Sequence, residues 1–429
     1  MAMPAWLRGN RNLRWLLAVR VLRSIAQGFL SVVVPLYIAS LGFSTLAFGS
    51  LLTLAGFGSA IMTLGLGLTG DRYGRRRPAL VISVLAVFGT AGFAMTHNFG
   101  VLALMSILST FGRGGGAGAG ASWGPIYPAL QPMVAGASND RDRNNVFAAL
   151  SVGGAIAGAV GSALAVIPAW LHGRGLGWVP AYQAMFWIGA AFALGSLLCL
   201  MAVREERRPP AAWSLPSRRT LSLLGKLSVT NLSNGFAMGL LGPLLTYWFY
   251  VRFGVGPAQL GLLYTAANAI SVLPYLAAPV LARRMGAVAA VTWSRVLSAL
   301  MLGVQALCPT FTLAAVVYLV RVQMALVSMP IRQSYVMGVT EERSRSVVSA
   351  FSGLPAQLTS AVSPDIGTYF METWTIDAPL WLATFFQLVN AGLYYALLKN
   401  EAPPEERAAQ AAAVANEAAP MVSGERPAG

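Results

Sequence analysis

Twelve stretches of this chain are long and apolar enough to cross a bilayer, at positions 15–39, 47–69, 78–96, 101–134, 146–170, 181–202, 222–250, 258–281, 288–306, 311–337, 347–371 and 379–398. Hydrocarbon offers no partner to a backbone N–H or C=O, so a run of about 20 apolar residues folds there as a helix that satisfies itself. Charged residues make up only 10% of the chain and hydrophobic ones 56%, whereas soluble domains carry roughly 25% charged residues. An ordinary soluble enzyme is excluded. The expected fold is an all-α membrane protein of twelve transmembrane helices.

The spans fall as six, a gap and six. This divides the chain into a six-helix bundle at 1–202, a linker at 203–220, a second bundle at 221–400 and a tail at 401–429. The linker holds Arg204, Glu205, Glu206, Arg207, Arg208, Pro209, Pro210, Arg218 and Arg219, a solvated composition suited to a flexible connector. The tail is Ala, Glu and Pro with few large apolar residues and reads as disordered. Three arginines precede the first span and no small-residue cleavage site follows it, so that span is expected to be retained. Cys199 and Cys308 lie in apolar stretches, where spacing builds neither a disulfide framework nor a metal site. No metal or cofactor is expected.

The net charge of +15 could signal a nucleic-acid partner, so placement decides. Twenty-two of the 30 basic residues fall in segments on one side of the twelve-span topology, only Arg174 and Arg252 fall on the other, and Arg20, Arg23, Arg113, Arg295, Arg321 and Arg332 lie inside spans. That bias follows the positive-inside rule. It predicts a multi-pass protein of the cell's inner (plasma) membrane, with both termini cytoplasmic and the basic loops against an anionic inner leaflet. Nucleic acid is excluded as a partner.

The halves resemble each other in an ordered series. Gln27-Gly28-Phe29 and Pro35 match Asn234-Gly235-Phe236 and Pro243 at offsets of 207 and 208; Gly42 and Gly49 match Gly254 and Gly261 at 212. After the second span, Gly70-Asp71-Arg72-Tyr73-Gly74 answers Ala282-Arg283-Arg284-Met285-Gly286, also at 212. Further matches follow at 202, Pro128 with Pro330 and Gln131 with Gln333. Two parallel six-helix repeats form a cavity between them that opens alternately to each side.

The loop after the second span reads Gly67-Leu68-Thr69-Gly70-Asp71-Arg72-Tyr73-Gly74-Arg75-Arg76-Arg77. It resembles the G-x-L-x-D-R-x-G-R-R signature of the major facilitator superfamily, departing only at Thr69. The resemblance covers residues 10 to 400 and implies a secondary transporter of the bacterial 12-helix type. It also implies that Gly67, Asp71, Arg72, Gly74 and Arg75 form a cytoplasmic gate, Asp71 and Arg75 latching one bundle to the other. Arg76 and Arg77 read as topology anchors. In the fifth span, Gly154, Gly158 and Gly161 resemble the antiporter element G-x-x-x-G-P-x-x-G-G, with Ala159 in place of the Pro and Ser162 in place of the last Gly; small-residue helix packing explains the same pattern. Pro364 and Gly367 are its counterpart in the eleventh span.

Asp365 is the one acid of 15 that falls inside a span. A carboxyl there can carry a proton across the membrane, or it can serve at the external mouth of the cavity. Arg113 resembles the fourth-span arginine of the superfamily, a candidate for proton coupling or for substrate, with bonding to backbone carbonyls as the alternative. Arg23, Gln27, Asn234 and Arg321 are the further substrate candidates. Arg20 reads as snorkelling to the surface, and Arg295 and Arg332 as anchors near span ends. Several interior cations against one acid favour an anionic or polar ligand. The expected function is therefore secondary transport of a small organic solute by a monomer, with proton-coupled efflux ahead of proton-coupled uptake. A lipid-modifying enzyme would need paired acids, a metal cluster or a nucleophile with its base; an ATP-driven pump would need a G-x-x-x-x-G-K-[ST] loop, which does not occur.

Overall fold

The computed structural model describes residues 10–109, 124–138, 143–205, 218–339 and 353–399. They form α1 (Arg11–Ser40), α2 (Thr45–Tyr73), α3 (Arg76–Met95), α4 (Phe99–Leu108), α5 (Tyr127–Ala137), α6 (Arg143–Leu164), α7 (Ile167–Gly173) and α8 (Trp178–Ala202). The second half holds α9 (Arg218–Leu241), α10 (Pro243–Phe253), α11 (Pro257–Ile270), α12 (Val272–Met285), α13 (Ala287–Ala306), α14 (Phe311–Val339), α15 (Leu354–Thr373) and α16 (Ala378–Leu398). There is no strand among the described residues. The expected disordered tail at 401–429, the middle of the fourth span and most of the linker lie outside them.

Helices occupy the described parts of the expected spans, and polar punctuation sets several of their starts. The Asn10 side chain accepts from Leu13 N, Ser44 from Ala47 N, and Asn98 from Gly100 N and Val101 N, which satisfies amides that a helix start leaves open. Among the described residues, eight helical stretches, one of them running through α6 and α7, are long and apolar enough to cross a membrane. Two of the other spans are broken: the seventh between α9 and α10, where Pro243 follows Gly242, and the eighth at Ser271 between α11 and α12. Proline lacks the N–H that the helix needs, so a break beside it is expected.

The packing repeats between halves. In the first, α1 packs on α6 and α8, α3 on α8, and α2 and α3 on α4; in the second, α9 packs on α15 and α16, α13 on α16, and α12 and α13 on α14. The glycines matched in sequence carry the same local geometry. A Cβ on Gly28 would meet the α6 backbone at 2.5 Å (Gly158 O), and one on Gly235 would meet the α15 backbone at 2.3 Å (Ala356 O). Gly42 and Gly254 share positive φ (76° and 67°), as do Gly74 and Gly286 (84° and 78°), a conformation that only glycine adopts without strain.

Two large seams join the halves, α2 against α15 and α6 against α11, and the repeat exchanges one for the other. Among the described residues, hydrogen bonds that cross between the halves include Thr246 to Ser31 O, Thr45 with Tyr247, Leu46 N to Glu372, Thr265 to Ala159 O, and Asn268 to Ser162. These lie toward the arginine-poor end. The apolar core follows suit. One cluster draws on both halves at that end, from Phe29 and Leu52 to Leu260 and Leu326. At the basic end it divides into a first-half cluster around Leu16, Ile82 and Leu130 and a separate second-half cluster around Leu227, Val291 and Tyr394. The two bundles are thus fused at the arginine-poor end and have separate cores at the basic end.

Gly28→Leu should lower the melting temperature and the monodisperse yield of the detergent-purified protein, because overpacking against backbone costs about 1–3 kcal/mol. Gly67→Leu, where a Cβ meets nothing within 4 Å, should leave both unchanged. Equal loss in the two variants would refute this account of the α1–α6 contact.

Candidate functional site

The interior polar groups separate into three regions. At mid-depth, Arg23 is buried on α1 and Gln27 is half-buried one turn on, while Asn234, its repeat partner, is half-buried on α9. At 1.5 Å per residue Gln27 and Asn234 both lie about 24 Å from the basic ends of their helices. From α14, Arg321 is 5% exposed, with its guanidinium carbon 5.2 Å from the Tyr318 ring centroid. Its Nε has no hydrogen-bond partner among the described residues, and neither has Gln323 Oε1, although Gln323 Nε2 donates to Ala267 O. Arg113 lies outside the described residues.

A hydrogen-bonded chain leads from this region to the arginine-poor end. Pro35 has no N–H, so the Ser31 carbonyl loses its helical donor. Thr246 Oγ1 from α10 donates to that carbonyl at 3.2 Å and lies 2.7 Å from Tyr264 Oη of α11. With the Thr246 proton committed to Ser31 O, the Tyr264 hydroxyl is the donor to Thr246. The Tyr264 ring lies 5.7 Å from that of Tyr318, the ring under Arg321. A cation in the interior is thereby connected to a bond between the halves. The Ser31–Pro35 spacing was the available signal for it in the sequence; the donor from 215 residues away was not.

Three of the interior arginines depart from expectation. Arg20 is 1% exposed and does not snorkel. Arg295 donates to Asn390 Oδ1 and faces the Tyr394 ring, Arg332 donates to Asn231 Oδ1, and Asn390 in turn donates to Thr230 O. These two are not surface anchors: they tie α13 and α14 to α16 and α9 through buried amides.

At the basic end the described residues show part of the expected gate. Gly67 lies within α2 with open space around it, and the reversal occurs at Gly74 (φ 84°). The side chains of Asp71 and Arg72 lie outside the described set. Glu205, which the sequence assigns to the linker, accepts from Arg75 N at 2.7 Å and Arg76 N at 2.9 Å. Its carboxylate therefore caps the start of α3, where the helix dipole favours negative charge. Arg76 reaches back to the carbonyls of Leu200 and Met201 at the end of α8. The loop is clamped to the sixth span of its own half, so Arg76 is a structural tie and not a bare topology anchor.

In the fifth and eleventh spans the small residues make contacts. Gly154, Gly158 and Gly161 are buried, and a Cβ on Gly161 would meet Ile25 O at 2.1 Å. Pro364 is buried, and Gly367 faces Leu240 and Leu244. Asp365 is half-buried on α15, facing α2. It borders a shallow groove of about 590 Å³ lined by Leu46, Ser50, Asp365, Ile366, Tyr369 and Phe370. It is about 12 Å from the arginine-poor end of α15 by helix rise and stands in the seam between halves.

A family model described as the Major Facilitator Superfamily matches residues 16–228 and again residues 227–426. No curated protein matches the chain in sequence. Among solved structures, a human organic anion transporter is 17% identical, covering 91% of this chain and 100% of its own, with a TM-score of 0.63. A D-xylose–proton symporter is 13% identical over 90% of this chain and 97% of its own (TM-score 0.68). A bacterial homologue of the human lysosomal transporter Spinster, in an inward-facing and occupied conformation, is 16% identical over 93% and 98% (TM-score 0.67).

Glu205→Ala should destabilise the protein by about 1–2 kcal/mol, the usual cost of losing a helix cap, read as a lower melting temperature and faster proteolysis at the α2–α3 loop. Thr246→Val should loosen the arginine-poor end, so that a cysteine placed at Thr45 reacts several-fold faster with an impermeant maleimide; an unchanged rate would remove the Ser31 bond from the closure.

Proposed function

The chain belongs to the major facilitator superfamily, and from that premise we propose that it exports a small organic anion in exchange for protons by alternating access. It is a multi-pass membrane protein and a secondary transporter, not an enzyme. In this reading two six-helix bundles, residues 1–202 and 221–400, rock about a central site as a monomer, joined by a linker at 203–220. The basic end faces the cytoplasm and the anionic inner leaflet of the plasma membrane. On that orientation, the separate cores at the basic end correspond to an inward-facing carrier.

The observation that carries the anionic reading is the burial of Arg23 and Arg321 in opposite halves, while Asp365 lies apart from them in a seam. A charge within the bilayer costs about 2.5–3.5 kcal/mol on insertion scales, and a bound carboxylate or other anion offsets that cost through charge-assisted hydrogen bonds. Gln27 and Asn234 supply neutral donors and acceptors from both bundles. Arg113 completes the candidate set. Exchange with protons rests on the partial antiporter element around Gly158 and on Asp365 as a titratable group within a span. Gly74, Arg75 and the Asp71 segment act as the cytoplasmic gate, with the Glu205 clamp holding that loop to the first bundle.

Proteoliposomes with an imposed pH gradient and a panel of anionic, neutral and cationic solutes test this. Flux of anions should exceed that of matched neutral and cationic solutes, and Arg321→Gln should cut it at least about tenfold, a loss of roughly 1.4 kcal/mol or more in transition-state or ligand binding, with folding intact. Arg321→Lys should retain part of it. A preference for cations, or full anion flux through Arg321→Gln, would overturn the proposal; accumulation of solute together with protons would replace exchange by uptake.

A further inference from the structure

The two seams between the halves are repeat counterparts, and they differ in one chemical respect. In the α2–α15 seam, Gly49 faces Thr368 and Gly56 faces Ala361: a Cβ at these glycines would come within 2.0 Å of Thr368 Oγ1 and 2.7 Å of Ala361 Cα. Between them, at the same heptad spacing, Thr53 faces Asp365. Adding the repeat offset of 212 to Gly49, Thr53 and Gly56 gives Gly261, Thr265 and Asn268 on α11. There Gly261 packs on Ser162 O at 2.7 Å, Thr265 donates to Ala159 O at 3.2 Å, and Asn268 donates to Ser162 Oγ at 3.4 Å. The α6–α11 seam is neutral and its polar groups are paired. In the α2–α15 seam, Thr53 is the one side-chain hydroxyl within bonding reach of Asp365, and Thr53 Oγ1 and Asp365 Oδ1 are both buried without a well-formed hydrogen bond among the described residues.

We propose that Asp365 is a proton-binding site in the α2–α15 seam, reached through the groove at Ser50 and Tyr369, and that protonation there holds the arginine-poor end closed. The role of this proton in transport rests on the proton-exchange reading; the seam device does not. The closed seam needs no acid for packing, since its counterpart closes with neutral groups. A buried carboxylate with a single, poorly placed hydroxyl for a donor is costly, whereas a neutral carboxyl has an O–H to offer that hydroxyl in turn. Opening the seam hydrates the group and favours its charged form. The sign is therefore fixed: a falling pH favours closure, a rising pH favours opening, and the ratio of the two changes by up to tenfold per pH unit for one proton.

Few other charges bear on this group. On its own helix Tyr369 and Glu372 follow it, and Glu372 is engaged with Leu46 N. The segment of α2 from Thr45 to Gly70 carries no charged residue. From α10 come Tyr247 and, at its end, Arg252, which pairs with Asp377 at the start of α16 at 3.8 Å; the charges of α9 are Arg218, Arg219 and Lys226, at the basic end.

Spin labels on Leu176→Cys and Leu307→Cys, in a full-length protein carrying Cys199→Ser and Cys308→Ser in nanodiscs, read the separation of the halves at the arginine-poor end. Lowering the pH should shift the wild-type background to the short distance. Asp365→Asn, with Asp365→Ser as a second neutral variant should the first not fold, should stay at the short distance at every pH. Asp365→Glu and Glu372→Gln should keep the response. A wild-type background that ignores pH, or a neutral variant that still responds or stays open, overturns the proposal. Solute flux measured alongside separates the two ideas: a flux indifferent to the proton gradient with an Asp365-dependent closure removes proton exchange and leaves the seam device standing.

Discussion

Every backbone amide and carbonyl of a spanning helix must find its partner inside the protein, because hydrocarbon supplies none. Most of this structure follows from that demand, including where the halves adhere. Proline removes a donor, and each interior proline leaves an acceptor that has to be met by something else. Pro35 frees the Ser31 carbonyl, and the donor that meets it comes from the other half of the molecule. Pro364 frees the Ser360 carbonyl, met within the helix by the Ser363 hydroxyl. Positions where helices bend are therefore also positions where they bond, and one such bond belongs to the closed end.

Close helix approach depends on the same economy of groups. Apolar side chains gain little by leaving lipid for protein, so the bundle is held by contact between backbones and by side-chain hydrogen bonds. Gly28 and Gly161 bring α1 and α6 together, Gly235 and Gly239 bring α9 and α15 together, and Gly49, Gly56 and Gly261 close the seams between halves. The repeat is geometrical as much as textual, since the matched glycines do the same work in each half. Departures from the repeat are then informative: an acid in one seam and an amide, Asn268, in the other.

Much of this was legible in the residues, and the reasons are specific. Runs of about 20 apolar residues mark spans because length and polarity are local properties, and the arginine count on each side of those runs ordered them without any contact being known. Gly42 and Gly254, or Gly74 and Gly286, could be matched because a positive φ admits little else. Side-chain partners were not legible in this way. Glu205 looked like part of a solvated connector, yet it caps a helix that starts 129 residues earlier. Arg20, Arg295 and Arg332 were assigned by distance from a span end, which says how deep a residue lies and nothing of which way it faces.

The sequence by itself determined the class, the number of spans, the twofold repeat and the family, since each is written in periodicity, composition and a local motif. Only the tertiary structure decided that the halves are fused at the arginine-poor end and have separate cores at the other. It also decided that Asp365 lies in a seam between the halves, against Thr53. The physical reason is that helix rise fixes a residue's depth, while the packing of one helix on another fixes its facing, and a charge acts according to what it faces.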